Sequence, residues 1–320
     1  MNNTLYIVVP CYNEEECINV CSAQLIKKLE QLQAKGLCSE DSRVLFVNDG
    51  SADRTRDMLM QLHEQDERVA FLSLSTNCGH QNALLAGMLY AKDYADCVIT
   101  IDADLQQDVN AMDIFLEKYA EGIDIVYGVR SSRDTDGFMK KLTAGAFYSL
   151  MQFFGADIIR NHADYRLLSK RVLMALDQYT EVNLFLRGLI RTCGFRSCTV
   201  EFEVSERFAG ESKYSPAKML KLAVDGITSF SVRPLRIIMM LGFCCVLFCI
   251  AWAVYDLVVF LQGKTIPGWT SIMLSLWLIA GMILISLGCV GEYVGRIYME
   301  TKRRPRYFVA ESQHKPAEKK

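Results

Sequence analysis

The sequence lacks an excess of either charge. Its 320 residues include 35 Lys and Arg against 37 Asp and Glu, which gives a net charge of −2. Domains that bind nucleic acids usually carry a clear basic excess, so this balance argues against a nucleic-acid partner. Disordered chains combine low hydrophobicity with high net charge, and an apolar share of 51% excludes that class as well.

Several nucleotide- and metal-binding motifs are also missing. No G-x-G-x-x-G follows the first apolar run and no G-x-x-x-x-G-K-[ST] occurs, which disfavours a dinucleotide-binding fold and a P-loop nucleotidase. None of the 12 cysteines forms a C-x-x-C pair, so we expect no zinc site and interpret the thiols as small hydrophobes in a reducing compartment. The first residues lack a basic segment and a long apolar core, so no signal peptide is expected.

Long uncharged runs are present near the C-terminus. Ile237–Tyr255 contains 19 residues without a charge, and Thr265–Gly291 contains 27. A helix needs about 20 apolar residues to cross a hydrocarbon core of about 30 Å. We therefore predict a hairpin of two transmembrane helices, at about 236–262 and 268–292. Two buried core helices are the alternative, but core helices usually carry a polar face.

Basic residues flank this predicted hairpin on one side. The connecting turn contains a single basic residue, Lys264. By the positive-inside rule the turn therefore faces outward, and both chain termini lie on the cytoplasmic side of the inner membrane. Glycines in the two runs permit close helix contact, which favours a homo-oligomer. The flanking basic residues are Arg233, Arg236, Arg296, Lys302, Arg303, Arg304 and Arg306.

Residues 1 to about 130 alternate apolar runs with helical patterns, which predicts an α/β fold with a parallel sheet. The predicted strands are Leu5–Val9, Val44–Val47, Val69–Leu74, Cys97–Ile101 and Ile123–Tyr127. The predicted helices are Glu14–Leu32, Asp53–Gln65 with Ser51 as its N-cap, and Gln81–Lys92. Ligands of such sheets bind beyond the carboxyl ends of the strands. The polar clusters at those ends are Pro10–Glu14, Asn48–Ser51, Thr76–Asn77 and Asp102–Asp104.

The pair Asp102 and Asp104 directly follows the fourth predicted strand. Two carboxylates at such an edge would hold a hard divalent cation that bridges a substrate diphosphate, and Gln106 would add a carbonyl oxygen. A solvated surface turn is the alternative for an isolated pair of this kind. Its register with three other polar strand ends favours the metal site.

Taken together, these motifs resemble family-2 glycosyltransferases of the GT-A fold, and more narrowly the polyprenyl-phosphate glycosyltransferases. That group includes bactoprenol glucosyltransferases and, more distantly, dolichyl-phosphate mannose synthase. The resemblance covers nearly the whole chain, the last ten or so residues excepted. The matching segments are Val8–Glu15, Asn48–Asp53, Asp102–Gln106, Arg207–Tyr214, Asp225–Ser231 and Gly291–Arg296.

The resemblance implies roles for individual residues on the donor side. Asp49 would bind the uracil or the ribose, although many relatives have a second acidic residue where this chain has Asn48. Asp102, Asp104 and Gln106 would bind Mg²⁺ or Mn²⁺, which offsets charge on the leaving nucleoside diphosphate. The other residues implied to bind the nucleotide sugar are Pro10, Asn13, Glu14 and Arg130.

On the acceptor side, the resemblance implies that Asp164 lies near the sugar, so Asp164 is a candidate catalytic residue, together with the metal-site carboxylate Asp104. A phosphate monoester is largely ionised at neutral pH, so we expect Asp164 to position substrate or accept a residual proton rather than drive a difficult deprotonation. Arg166 would contact phosphate or, alternatively, form a salt bridge with Asp164. Three further residues implied to bind the acceptor phosphate are Arg133, Arg207 and Lys213.

The implied domain organisation has four parts. They are a catalytic domain at 1–214, an interfacial amphipathic segment at 215–233, two membrane helices within 234–297 and a basic cytoplasmic tail at 298–320.

The implied activity is the inverting transfer of a hexose from a UDP-sugar to undecaprenyl phosphate. Glucose is the hexose that the resemblance favours. Synthases using GDP-mannose or another UDP-sugar, and a non-catalytic membrane scaffold, are the alternatives. A processive polysaccharide synthase is disfavoured, since the chain lacks a Q-x-x-R-W motif and further spans.

Overall fold

The protein is described here from a computed structural model, which covers residues 3–131, 162–182, 185–203, 233–262 and 268–313. Apolar strands and helices alternate from the N-terminus, as the sequence predicts. The elements up to the first gap are β1 (Leu5–Cys11), α1 (Ile18–Ala34), β2 (Arg43–Asn48), α2 (Thr55–Gln65), β3 (Val69–Leu74), α3 (His80–Ala91), β4 (Cys97–Thr100), α4 (Ala111–Ala120) and β5 (Ile125–Arg130). The later elements are β6 (His162–Ser169), α5 (Lys170–Asp177), α6 (Leu186–Thr192), β7 (Ser197–Phe202), α7 (Arg233–Leu261), α8 (Trp269–Thr301) and β8 (Val309–Gln313).

The strands form one sheet in the order β7-β5-β6-β4-β1-β2-β3-β8. Parallel pairings join β1 to β2 and β4, β2 to β3, and β5 to β7. Strand β6 is antiparallel to both β4 and β5, and β8 is antiparallel to β3. The α/β prediction with a mostly parallel central sheet is therefore confirmed.

The central strands β1–β4 are buried on both faces of the sheet, because their side chains alternate between two apolar layers. On β2, Phe46 packs into the layer beneath α1 and α4, while Leu45 and Val47 pack into the layer beneath α3, α5 and α6. Each fully buried side chain of this size contributes roughly 1.5–3 kcal/mol to folding. Helix α3 lies so close to the sheet at Gly87 that an added Cβ would stand 2.5 Å from a methyl carbon of Val8.

Two predicted helix starts are wrong. Helix α1 begins at Ile18 rather than Glu14, and α2 begins at Thr55 without a side-chain cap, so Ser51 is not its N-cap. The Ser51 hydroxyl instead accepts a hydrogen bond from the backbone N–H of Asn13, at 3.0 Å. The cause is tertiary, since the turns after β1 and β2 meet at one sheet edge and satisfy each other's polar groups.

The two C-terminal helices, α7 and α8, occupy the regions predicted for the hairpin. Large apolar side chains on both are exposed, Phe243 and Leu284 among them, as expected of helices that face lipid. Within the residues described, Leu278–Thr301 is long and apolar enough to cross a membrane, and Leu235–Cys244 is a shorter apolar stretch.

The chain beyond α8 returns to the sheet. Arg303, with φ 47°, adopts the left-handed conformation that commonly ends helices. Strand β8 then pairs with β3, and Glu311 forms an ion pair with Arg56 at 2.6 Å. The sequence predicts a basic tail at 298–320 outside the catalytic domain, but Val309–Gln313 form an edge strand of the catalytic sheet.

Candidate active site

The turns that follow β1 and β2 are fastened to each other. Asn13 has φ 53°, and its side-chain oxygen accepts the N–H of Ala52 at 2.9 Å. The N–H of Glu14 donates to the hydroxyl of Thr55 at 2.9 Å. Pro10 is buried in β1 opposite Val47. The residues predicted to line the nucleotide pocket therefore lie at the carboxyl edge of the sheet, where parallel α/β sheets bind ligands.

Asp49 holds the neighbouring loop through its carboxylate. Its two oxygens accept the backbone N–H groups of Cys78 and Gly79 at 2.7 and 2.9 Å, and its side chain is almost fully buried. Asn48, the residue that departs from the family pattern, uses both halves of its amide. Its nitrogen donates to the Ser73 hydroxyl at 2.8 Å, and its oxygen accepts from the N–H of Ser51 at 3.1 Å. A carboxylate at this position could not donate to Ser73 in this way.

Gly50 allows these two loops to approach closely. Its φ is 61°, and a Cβ there would stand 2.5 Å from the carbonyl carbon of Thr76. Both the left-handed backbone and the space therefore require glycine. The contact keeps the β2 and β3 ends of the candidate site in register.

Asp102 lies at the end of β4 and is held by two side chains. Its Oδ1 is 3.0 Å from Nε2 of His80, the first residue of α3, and its Oδ2 accepts from Nε2 of Gln107 at 2.6 Å. Burial would raise the pKa of Asp102, but the hydrogen bond and the charge of His80 outweigh it and lower that pKa. Burial would lower the pKa of His80, but the hydrogen bond to Asp102 and the charges of Asp102 and Asp164 raise it to about 9. Both shifts favour the charged forms of the two side chains.

The second carboxylate of the motif, Asp104, accepts the N–H of Gln106 at 3.2 Å. Burial is the largest cause that raises the pKa of the Cys17 and Cys21 thiols, and the charge of Asp104 also contributes to both shifts. The oxygen donors of Asp102, Asp104 and Gln106 have the chemistry that Mg²⁺ and Mn²⁺ prefer. Across the part of the chain that the structure describes, no three His, Cys, Asp or Glu side chains are already grouped as a metal site.

Asp164 on β6 is held by two arginines. Nε and Nη2 of Arg187 donate to its two oxygens at 3.2 and 2.9 Å, and Arg166 forms an ion pair with Oδ1. Its backbone oxygen accepts from the Thr100 hydroxyl at 2.7 Å, which ties β6 to the end of β4 beside Asp102. Burial would raise the pKa of Asp164, but the charges of Arg187 and Arg166 hold it well below its ordinary value. Asp164 is therefore a weak base.

Arg166 takes the second of the two roles considered for it, that of a salt-bridge partner. Its side chain is fully buried, and burial holds its pKa below the ordinary value even beside Asp164. Its contact with the acceptor phosphate stays a prediction. Its Nε and Nη1 have no hydrogen-bond partner among the residues described.

The structure adds Arg187 and Gln107 to the residues found from sequence, and it gives His80 a definite partner. Arg187 lies in the seven-residue helix α6, whose sequence carries no motif, and only the tertiary fold brings it to Asp164. Arg130 is exposed at the end of β5, opposite Phe202. Arg133, Arg207, Lys213 and nearly all of the predicted interfacial segment lie outside the described residues.

The family model for glycosyl transferase family 2 matches residues 6–176, more than half of the chain. The chain belongs to glycosyl transferase family 2. The resemblance that the motifs suggested is thus confirmed, and the carboxylates of Asp102 and Asp164 lie in the catalytic domain of a family-2 glycosyltransferase. A second model, described as the GtrB C-terminal hairpin, matches residues 233–297, which include α7 and all but the last turn of α8.

Relatives match this family-2 glycosyltransferase along nearly its whole length. The glycosyltransferase YkoT of Bacillus subtilis (strain 168) is 49% identical over 95% of this chain and 90% of its own. A bactoprenol glucosyl transferase of Shigella phage SfX is 37% identical over 95% of this chain and 97% of its own. Among solved structures, glucosyl-3-phosphoglycerate synthase of Mycobacterium tuberculosis is 17% identical with a TM-score of 0.45, over 71% of this chain and 76% of its own. A likeness that distant assigns no chemistry.

Proposed function

We propose that this glycosyltransferase moves glucose from UDP-glucose to a polyprenyl phosphate such as undecaprenyl phosphate, with inversion at the anomeric carbon. One observation carries the proposal: a family-2 catalytic domain and a GtrB-type hairpin follow each other in one chain. Relatives named bactoprenol glucosyl transferase match this combination along 97% of their length.

The chemistry requires a phosphate oxygen of the acceptor to attack the anomeric carbon while the bond from that carbon to the nucleoside diphosphate breaks. The acceptor phosphate has a second pKa near 6 and is mostly a dianion at neutral pH, so the step needs no strong base. This suits Asp164, which two arginines hold as a weak base. Its proposed role is to orient Arg187, which is 27% exposed beside the site, toward the charged substrates.

The donor side is proposed to follow the sequence interpretation. Asp102, Asp104 and Gln106 would hold Mg²⁺ or Mn²⁺, which when bound offsets charge on the leaving diphosphate. Both Asp102 oxygens have protein partners at 3.0 and 2.6 Å, so a cation there would compete with His80 or Gln107. The other nucleotide-side residues in this proposal are Pro10, Asn13, Glu14, Asp49 and Arg130.

The acceptor is proposed to arrive from the bilayer. The two C-terminal helices would span the inner membrane with both termini on the cytoplasmic side, and Arg133, Arg207 and Lys213 would bind the lipid phosphate. Gly242, Gly281 and Gly288 leave open space where a Cβ would be, and so would let a second copy approach α7 and α8 in a homo-oligomer such as a tetramer.

The donor assignment is tested with the full-length protein in lipid nanodiscs. UDP-glucose, UDP-galactose, UDP-N-acetylglucosamine and GDP-mannose are each incubated with Mn²⁺ or Mg²⁺ and undecaprenyl phosphate, and nucleoside diphosphate release is measured. We expect UDP release from UDP-glucose that requires the lipid phosphate. Release of GDP from GDP-mannose, with no UDP release from the three UDP-sugars, would identify a mannosyl carrier-lipid synthase instead.

A matched pair of variants separates enzyme from scaffold. Asp102→Asn should slow the release by about 10²–10³-fold, while Asp57→Asn, which changes an exposed carboxylate on α2, should leave it unchanged. If no nucleotide sugar is consumed and calorimetry detects none bound, the chain is a scaffold and the proposed activity fails.

A further inference from the structure

The end of the membrane helix α8 grips the catalytic domain. The backbone N–H of Val182 donates to both carboxylate oxygens of Glu300, each at 2.9 Å. Beyond the helix, Nε and Nη2 of Arg306 donate to the carbonyl oxygens of Glu181 and Tyr179 at 2.6 and 2.5 Å. Two charged side chains thus hold the backbone of one short segment, 179–182, which we call the gripped loop. Charge-assisted hydrogen bonds of this kind are stronger than neutral ones.

Helix length explains how this contact forms. Helix α8 has 33 residues and so extends about 50 Å, while a bilayer core is about 30 Å thick. The uncharged run ends at Gly291, so the turns that carry Glu292, Arg296 and Glu300 extend beyond it. The last turn therefore meets the catalytic domain as a rigid continuation of the membrane helix.

The gripped loop contacts α6, the helix that carries Arg187. Tyr179 contacts the hydroxyl of Thr192, the last residue of α6, with their oxygens 3.3 Å apart. At the other end of α6, the N–H of Leu186 donates to Oε1 of Gln81 at 2.9 Å, and the next residue is Arg187. Helix α6 is seven residues long, so a shift of the loop that precedes it would move the guanidinium that holds Asp164.

We propose that Glu300 and Arg306 are positioning residues that transmit the placement of membrane helix α8 to Arg187, and through it to Asp164. The active site is then fully ordered only when α8 is seated against the catalytic domain. This inference rests on the proposed function for its kinetic consequence, but the physical coupling can be measured without any activity.

Hydrogen exchange in nanodiscs tests the coupling first. Glu300→Ala removes the acceptor for the Val182 N–H, so we expect exchange of that amide and of the α6 amides to accelerate by about tenfold or more. The matched control is Glu292→Ala, since Glu292 lies two turns earlier on the same helix and pairs with Arg296 within it. Peptides from β1 and β2 report whether the fold is intact. Equal exchange of α6 in the two variants would overturn the proposal.

Kinetics then separates positioning from simple destabilisation. We expect Glu300→Ala to lower kcat about tenfold and to leave KM for the nucleotide sugar within about twofold. Glu300→Gln should restore most of the turnover, because its amide oxygen still accepts the Val182 N–H. Arg306→Lys is the milder variant if Glu300→Ala fails to fold, and it should also lower kcat without raising KM.

A double-mutant cycle identifies the route. If Glu300 acts through Arg187, the loss caused by Glu300→Ala should largely disappear in an Arg187→Lys background. Fully multiplicative losses would overturn the proposed route. If the wild-type protein is inactive with every nucleotide sugar, the proposed function is wrong. The hydrogen-exchange experiment would still decide whether the contacts of Glu300 and Arg306 order α6.

Discussion

Two carboxylates at the same sheet edge, Asp102 and Asp164, are held in opposite ways. Asp102 is 30% exposed and is bound by a half-exposed histidine and a neutral amide. Asp164 is 13% exposed and is bound by two guanidinium groups, one of them fully buried. A carboxylate with replaceable partners can exchange them for a ligand, whereas one fixed by two arginines is part of the framework. The difference is the basis for the proposal that Asp102 binds the metal and that Asp164 organises the site.

The largest expected effect is on stability, from Asp164→Ala. The change leaves the buried guanidinium of Arg166 without its carboxylate, and losing one partner of a buried pair typically costs about 3–5 kcal/mol. Urea denaturation should show that loss, with the catalytic-domain signal unfolding at lower urea. A loss below about 1 kcal/mol would contradict the structural role given to Asp164.

Asp102→Asn should affect turnover rather than stability. The amide keeps the shape and one hydrogen-bond acceptor for His80 or Gln107, so the fold should remain. Loss of the charge that supports the leaving diphosphate should lower kcat by about 10²–10³-fold. Turnover and Mn²⁺ binding by calorimetry are measured side by side, and unchanged values of both would remove Asp102 from the donor site.

The acid dependence of stability should distinguish the wild type from Asp164→Asn. The folded-state pKa of Asp164 lies below its unfolded value, so its stabilisation is present above about pH 4 and is lost as the pH falls toward the folded value. The difference in unfolding free energy between the two proteins should stay constant above about pH 5. Below about pH 4 it should shrink by up to about 1.4 kcal/mol per pH unit. If the difference in unfolding free energy does not vary between pH 3 and pH 7, the charges of Arg166 and Arg187 do not stabilise the ionised carboxylate of Asp164.

The smallest expected effect is that of His80→Ala on stability. The pair with Asp102 is screened by water because the imidazole is 46% exposed, so its loss should cost less than about 1 kcal/mol. Thermal unfolding without metal is the measurement. A loss as large as that of Asp164→Ala would erase the distinction between the two carboxylates.

The sequence predicted the sheet and the edge where the site lies, because apolar periodicity and polar strand ends are local patterns. It placed Asp102 and Asp164 in one site through resemblance, and it kept open the Arg166–Asp164 salt bridge that the structure contains. Arg187 was missed, since a seven-residue helix in an apolar segment carries no signal that its arginine faces a carboxylate 23 positions earlier. The pairing of β8 with β3 was missed for a similar reason, since the two strands are separated by more than 230 residues.

That last pairing constrains how the chain is threaded through a membrane. Strands β7 and β8 lie on either side of the helix pair in sequence, yet both belong to one sheet, and a sheet lies on one side of a bilayer. The chain between them must therefore cross an even number of times. If α8 spans the bilayer, another segment between the two strands must span it in the opposite direction, and among the residues described in that interval α7 is the other long helix. The pairing of β8 with β3 thus requires an even number of crossings. This requirement supports the two-span topology independently of where the basic residues lie.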